Sequence, residues 1–186
     1  MKRLFDWTLS LLMLLIMAMP LVLLCWLVRI TSKGPALYWS ERVGQRNHLF
    51  KMAKLRTMKL DAPVVATHLL ADPQSLLTPI GGFLRKSSLD ELPQLWNIWI
   101  GDMSFVGPRP ALFNQSDLME MRTQQGIDVL RPGLTGWAQV NGRDELAIPE
   151  KVKLDQEYLQ RQSFSFDLQI LYLTFLKVIR REGVSH

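Results

Sequence analysis

WTLSLLMLLIMAMPLVLLCWLV, residues 7–28, decides the architecture of this 186-residue chain. Nineteen of its 22 residues are hydrophobic, the exceptions being Thr8, Ser10 and Pro20, and none carries a charge. As a straight helix it would extend about 33 Å, enough for a hydrocarbon core of about 30 Å. Two features complicate a simple crossing. Pro20 sits in the middle, where it removes one backbone hydrogen bond and crowds the preceding turn, favouring a bend. Both flanks are basic, with Lys2 and Arg3 before the segment and Arg29, Lys33, Arg42 and Arg46 after it. Positive flanks favour the cytoplasmic side, and a single crossing can place only one of them there. A helix that enters the bilayer, bends at Pro20 and returns satisfies both, and it leaves few backbone groups unpaired in lipid. Spanning and re-entrant forms both fit the residues. A cleaved signal peptide fits poorly, because the apolar run passes Ala18-Met19-Pro20 without a small-residue cleavage site or a polar break.

Outside this segment the composition is that of an ordinary domain. The whole chain is 48% hydrophobic and 21% charged, and the remaining 164 residues can close one core, since domains of about 100–150 residues are the commonest size. Disorder, collagen-like repeats and a multidomain chain are excluded. The net charge of +5 is uneven: residues 1–60 hold ten Lys or Arg against two acids, whereas residues 61–186 hold twelve against fifteen. A basic collar beside an apolar segment suits anionic lipid headgroups, so membrane phospholipid is an expected partner. Nucleic acid is not, because the cations are not interleaved with stacking aromatics. Cys25 is the only cysteine, and His48, His68 and His186 lack metal-ligand spacing. Disulfides within the chain, zinc and haem drop out.

Working outward, residues 36–43 and 49–58 read as extended runs joined by Gly44-Gln45-Arg46-Asn47-His48, a hairpin pattern. Residues 59–77 hold two prolines and no sustained period, which predicts a mobile connection. Thr78-Pro79 predicts a helix start, with Ile80, Phe83 and Leu84 on one face. In SSLDELPQLWNIW, residues 87–99, Ser88 and Glu91 have capping-box spacing, and Leu89, Leu92, Leu95, Trp96 and Trp99 form an expected buried stripe. Pro93 fits only a first turn, so the helix start shifts towards Asp90. Further helices are expected at 115–124, 149–161 and 166–181, the last with an apolar stripe of Leu168, Leu171, Phe175, Leu176 and Ile179 that suits a core or a membrane surface. Its aromatics leave a homodimer open.

Asp90 and Glu91 are adjacent acids at a helix start, a position that the helix dipole alone favours by about 0.3–1 kcal/mol. Their surroundings give them more significance. Arg85 lies one turn upstream, Arg109 is held between Pro108 and Pro110, and Arg131-Pro132-Gly133 and Asn141-Gly142-Arg143 bracket LTGWAQV. A single arginine is usually a surface or ion-pair residue. Several presented from Pro- and Gly-fixed loops suit phosphate, whose oxygens the guanidinium fork binds in pairs. No Walker loop or GxGxxG is present.

The stretches KLRTM (54–58), LRKSSLDELPQLWN (84–97), GDMSFVGPRP (101–110) and RPGLTGWAQVNGR (131–143) resemble the bacterial sugar transferase family, the monotopic phosphoglycosyl transferases. With the N-terminal segment the resemblance covers nearly the whole chain. It implies an α+β, mostly helical fold: a re-entrant membrane helix at 1–30 bent near Pro20, then a catalytic domain at 31–186 with a short β-hairpin and membrane-surface amphipathic helices. Met19 stands where family members often carry a small residue. The implied reaction moves a sugar 1-phosphate from a UDP-sugar to undecaprenyl phosphate, releasing UMP, by a ping-pong path through an aspartyl phosphosugar on the cytoplasmic face of a bacterial inner membrane. By resemblance Asp90 is the nucleophile, Glu91 completes the dyad, and Mg2+ sits at Asp90 and the diphosphate. Lys54, Arg85, Arg109, Arg131 and Arg143 are substrate-binding candidates, and Asp167 supports the site. The alternative is a membrane-anchored lipid-binding or scaffold protein that keeps the fold without the chemistry.

Overall fold

The computed structural model describes residues 1–63, 72, 74–142 and 146–180. The apolar segment forms most of helix α1 (Lys2–Thr31), which runs unbroken through Pro20. The proline has no N–H to give the carbonyl of Ile16. The helix is largely bare along its middle, Met19 being 74% exposed, whereas Asp6, Ser10 and Val28 are buried. Both ends therefore rest on the same folded unit. At the first turn Arg3 donates to the carbonyls of Ile98 (2.7 Å) and Trp99 (2.9 Å). Asp6 accepts from the Ser104 hydroxyl (2.8 Å) and from the Phe105 N–H (3.2 Å). At the far end Val28 packs with Leu55 and Leu84 in a small second core.

The expected hairpin is present as β1 (Leu37–Val43) and β2 (Leu49–Leu55), antiparallel, with Val43 opposite Leu49 and Leu37 opposite Leu55. Its five-residue connection contains a short 3-10 turn in which Arg46 and Asn47 take positive φ. The 59–77 connection is pinned at its base by a bridge between Met58 and Leu77, and residues 64–71 and 73 lie outside the described part.

Helix α2 (Gly81–Lys86) begins three residues later than Thr78-Pro79 suggested. The Thr78 hydroxyl, which would have capped the earlier start, donates to the Thr57 carbonyl (3.3 Å), as does the Thr78 N–H (2.9 Å). The capping box does not form either. Ser88 takes φ +55 and makes no side-chain cap, Leu89–Glu91 form one 3-10 turn, and α3 (Gln94–Ile100) starts only after Pro93. The proline prevailed over the spacing, because it has no N–H to bond the Leu89 carbonyl and so keeps an α-helix from running through from Ser88. The buried face of α3 consequently rotates to Gln94, Leu95, Asn97 and Ile98, and Trp96, expected inside, is exposed.

Two three-residue strands, β3 (Ser104–Val106) and β4 (Gly133–Thr135), pair in parallel. They join the loops carrying Arg109 and Arg131. The approach is so close that a Cβ on Gly107, Gly133 or Gly136 would overlap neighbouring backbone, which explains the glycines flanking both arginine loops. Helices α4 (Ser116–Gln124), α5 (Trp137–Asn141), α6 (Ile148–Arg161) and α7 (Phe164–Arg180) close the main core around Leu95, Ile98, Phe105, Ile127, Tyr158 and Ile170. On α7, Phe166 and Ile170 enter that core, while Leu168, Tyr172, Phe175 and Val178 form an exposed stripe. The fold is α+β and mostly helical.

Candidate active site

The adjacent acids sit where three local constraints meet. Ser88 turns the chain left-handed after α2, Pro93 stops the 3-10 turn from continuing, and β2 runs alongside. The result is a wall of a cavity of about 580 Å³ bounded by α1, the hairpin, the Arg109 loop, α5 and α7. Asp90 is only 7% exposed. Lys54, on β2, reaches across to both acids, with its Nζ 2.8 Å from Glu91 Oε1 and 3.9 Å from Asp90 Oδ2. Arg109 approaches Glu91 from the opposite loop at 3.5 Å. Arg85 is steadied by donating from Nε to the Thr57 hydroxyl at 3.0 Å.

These contacts divide the two carboxylates. Glu91 is held by two cations, whereas Asp90 has a more distant one. Burial pushes the Asp90 carboxyl up to about 6, since a dry site disfavours its charge; Lys54, Arg85 and Arg109 pull it back, and Glu91 adds to the rise. The group is ionised at neutral pH yet poorly stabilised, which is the condition of a reactive carboxylate. Burial in turn lowers the Arg85 guanidinium below its usual range, with Asp90 opposing the shift.

The cavity has two characters. Seven cationic side chains against two carboxylates line it, which favours a polyanionic ligand. Met13 of α1 and Leu171 and Val178 of α7 form an apolar side of the same space. A diphosphate and a greasy acceptor could meet there within reach of Asp90.

Of the residues singled out from sequence, Lys54, Arg85, Asp90, Glu91 and Arg109 lie together on this cavity. Arg131 does not line it; its carbonyl packs beneath Gly107, so its loop braces the one that carries Arg109. Arg143 lies outside the described residues. Asp167 is elsewhere, buried under α1, where it accepts from Lys2 Nζ and from the Tyr158 hydroxyl, each at 2.6 Å. Lys2 also donates to the Val106 carbonyl at 3.0 Å. Lys2, held by this acid, thus fastens α1 to the strand that leads into the Arg109 loop. Burial and the Asp167 carboxylate hold the Tyr158 hydroxyl well above its usual range, so it is a permanent donor.

Arg42 and Arg56 also line the cavity and were not picked out from sequence. Arg42 shares a face of β1 with Ser40, whose hydroxyl it meets at 3.0 Å, and it reaches the Pro110 carbonyl at 3.2 Å. Strand alternation within the hairpin could have shown this. Arg56, within KLRTM, donates to the Lys33 carbonyl and to the Ser32 hydroxyl (2.9 Å), securing the far end of α1 to the cavity.

A family model described as bacterial sugar transferase matches residues 1–181. The uncharacterized sugar transferase EpsL of Bacillus subtilis is 39% identical, with 99% of this chain and 90% of that protein covered. The undecaprenyl-phosphate galactose phosphotransferase of Salmonella typhimurium is 38% identical over 98% of this chain and 41% of its own length. The UDP-glucose:undecaprenyl-phosphate glucose-1-phosphate transferase of Escherichia coli is 37% identical over 95% of this chain and 39% of its own length. The chain therefore spans about two fifths of the latter two relatives and nearly all of EpsL. Because the match covers residues 1–181, and with them α1, the hairpin and both arginine loops, the chain belongs to the bacterial sugar transferase family.

Proposed function

We propose that the protein transfers a sugar 1-phosphate from a UDP-sugar to undecaprenyl phosphate, releasing UMP, with Asp90 as nucleophile. The observation that carries this is Asp90 itself, a buried carboxylate of raised pKa in a predominantly cationic cavity with one apolar side. In the first half-reaction an Asp90 oxygen attacks the sugar-linked phosphorus of the donor. An Asp90–phosphorus bond forms, the bond from that phosphorus to the bridging oxygen breaks, and UMP departs with the bond's electrons. In the second, an oxygen of undecaprenyl phosphate attacks the same phosphorus, which frees the Asp90 carboxylate and leaves the sugar on a lipid diphosphate. Lys54 and Arg109 keep Glu91 neutralised and placed beside Asp90. Arg85 and Arg109 offer donors to the diphosphate oxygens, where charge grows as the bridge breaks.

The donor set also suits Mg2+, which takes one or two carboxylates and completes its shell with substrate phosphates and water. Among the described residues no cluster of three or more His, Cys, Asp or Glu could hold a metal alone. Asp90, with Glu91 adjacent, would supply the protein side, and the diphosphate would supply the rest. When bound, the ion would offset phosphate charge and favour departure of UMP.

The disposition of α1 supports a re-entrant, monotopic anchor. Lys2, Arg3 and Asp6 at one end and Val28 at the other are packed on one domain, an arrangement that a helix with its ends on opposite sides of a bilayer would break. The exposed stripe of α7 and the bare middle of α1 suit a domain lying on the lipid surface, at the cytoplasmic face of the inner membrane. The test is UMP release from a panel of UDP-sugars by the full chain in detergent, with undecaprenyl phosphate and Mg2+. Turnover of one donor is expected, and Asp90→Asn should abolish it. Absence of turnover with every donor would favour the non-catalytic lipid-binding reading.

A further inference from the structure

Gln139 lies on α5, in the wall of the same cavity, and is 7% exposed. Among the described residues, neither its Oε1 nor its Nε2 has a hydrogen-bond partner. A buried polar atom without a partner is disfavoured in a folded protein, and here both ends of one carboxamide are in that condition. The side chain is not there by default of space: a Cβ on Gly136 would press on its Oε1, so that glycine makes room for it beside the Arg109 loop. Leucine would fill similar volume without the unpaired atoms. An unpaired donor and acceptor held side by side suit a ligand that presents the opposite pair.

We propose that Gln139 recognises the uracil of the donor nucleotide. The inference rests on the donor reading given above and adds a residue to it. A primary carboxamide carries its C=O and one N–H on the same edge. The uracil imide likewise presents N3–H beside a carbonyl, so the two close a ring of two hydrogen bonds, with uracil N3–H donating to Oε1 and Nε2–H donating to the carbonyl. No other part of a UDP-sugar or a polyprenyl phosphate offers that edge. An acetamido group on the sugar has its N–H and C=O on opposite sides, and hydroxyls and phosphates lack the pairing. Gln139 thus acts in ground-state binding of the nucleotide and belongs to its affinity rather than to the chemical step.

The experiment measures binding of UDP and of N3-methyl-UDP to the full chain in detergent with Mg2+, for wild type and Gln139→Leu, beside their melting temperatures. Two neutral hydrogen bonds correspond to about a ten- to hundredfold change in affinity. Wild type should bind UDP about ten- to a hundredfold more tightly than N3-methyl-UDP, Gln139→Leu should bind the two alike, and its melting temperature should equal or exceed that of wild type. If wild type binds UDP but does not discriminate against the methylated form, or if the variant still discriminates, Gln139 does not read uracil and the donor reading stands. If the variant melts lower and binds both ligands equally worse than wild type does, its role is structural and the inference is overturned. If UDP does not bind the wild type at all, the donor reading falls and takes this inference with it.

Discussion

Replacing Asp90 by Asn should make the protein inactive and more stable. Burial lifts the Asp90 carboxyl from 3.8 in the unfolded chain to about 6 in the fold. For a group whose folded pKa is raised, the associated stability is fully present below the unfolded pKa and is lost as pH rises through the folded one. A difference of about two units at about 1.36 kcal/mol each puts the penalty of ionised Asp90 near 3 kcal/mol at pH 7.5. Asparagine has nearly the same shape and never pays it. The gain should therefore be up to about 3 kcal/mol at pH 7.5, shrinking below about 1 kcal/mol at pH 4, where wild-type Asp90 is protonated in the fold. For a chain of this length 1 kcal/mol moves the melting temperature by about 2–4 °C. Thermal unfolding in detergent and EDTA, at both pH values, reads the effect. A variant that melts lower than wild type at pH 7.5 would show that Lys54 and the arginines stabilise ionised Asp90 more than burial opposes it, and the picture of a strained nucleophile would be wrong.

Other outcomes follow from the same contacts. Lys54→Met removes a cation that holds the Asp90 pKa down, so the titration of Asp90 followed in EDTA, without donor, should move above about 6; an unmoved titration would separate Lys54 from Asp90. Lys2→Met leaves the buried Asp167 carboxylate without its cation and should destabilise the fold by about 3 kcal/mol or more, whereas adding Asp167→Asn should recover part of the loss in unfolding measurements. Tags at the two termini of the chain in cells should both be reached only from the cytoplasmic side, and periplasmic labelling of the N-terminus would refute the re-entrant anchor.

Much of this architecture is legible in the residues, and the exceptions have physical reasons. The hairpin shows because Gly44–His48 is a run of turn formers between two extended stretches, and α6 shows because Pro149 marks its first turn. The turn at Asp90 is misread by spacing alone, since Ser-x-x-Glu fits a capping box while Pro93 forbids the helix it would cap. Strands β3 and β4 are three residues each, too short for alternation to register, and only the glycines at 107, 133 and 136 hint that two backbones meet. Five site residues can be gathered from local sequence because each stands beside a proline, a glycine or the acids themselves, or within a stretch shared with the family. Asp167 could not be placed that way. Its partner Lys2 is 165 positions distant, and nothing near either residue announces the pair. Arg56 and Gln139 lie within stretches shared with the family, yet nothing local sets them apart from their neighbours: Arg56 is defined by its reach to Ser32 and Lys33, and Gln139 by the partners that, among the described residues, the fold does not give it.

The central claim is that Asp90 carries the phosphosugar between donor and acceptor. Its most direct measurement is the intact mass of the full chain after brief incubation with Mg2+ and a UDP-sugar that it turns over, with no undecaprenyl phosphate present, followed by peptide mapping. The account predicts an added sugar phosphate on the peptide containing Asp90, absent in Asp90→Asn and discharged when undecaprenyl phosphate is added. An enzyme that turns over with both substrates yet never gains that mass, or gains it on another residue, would contradict it.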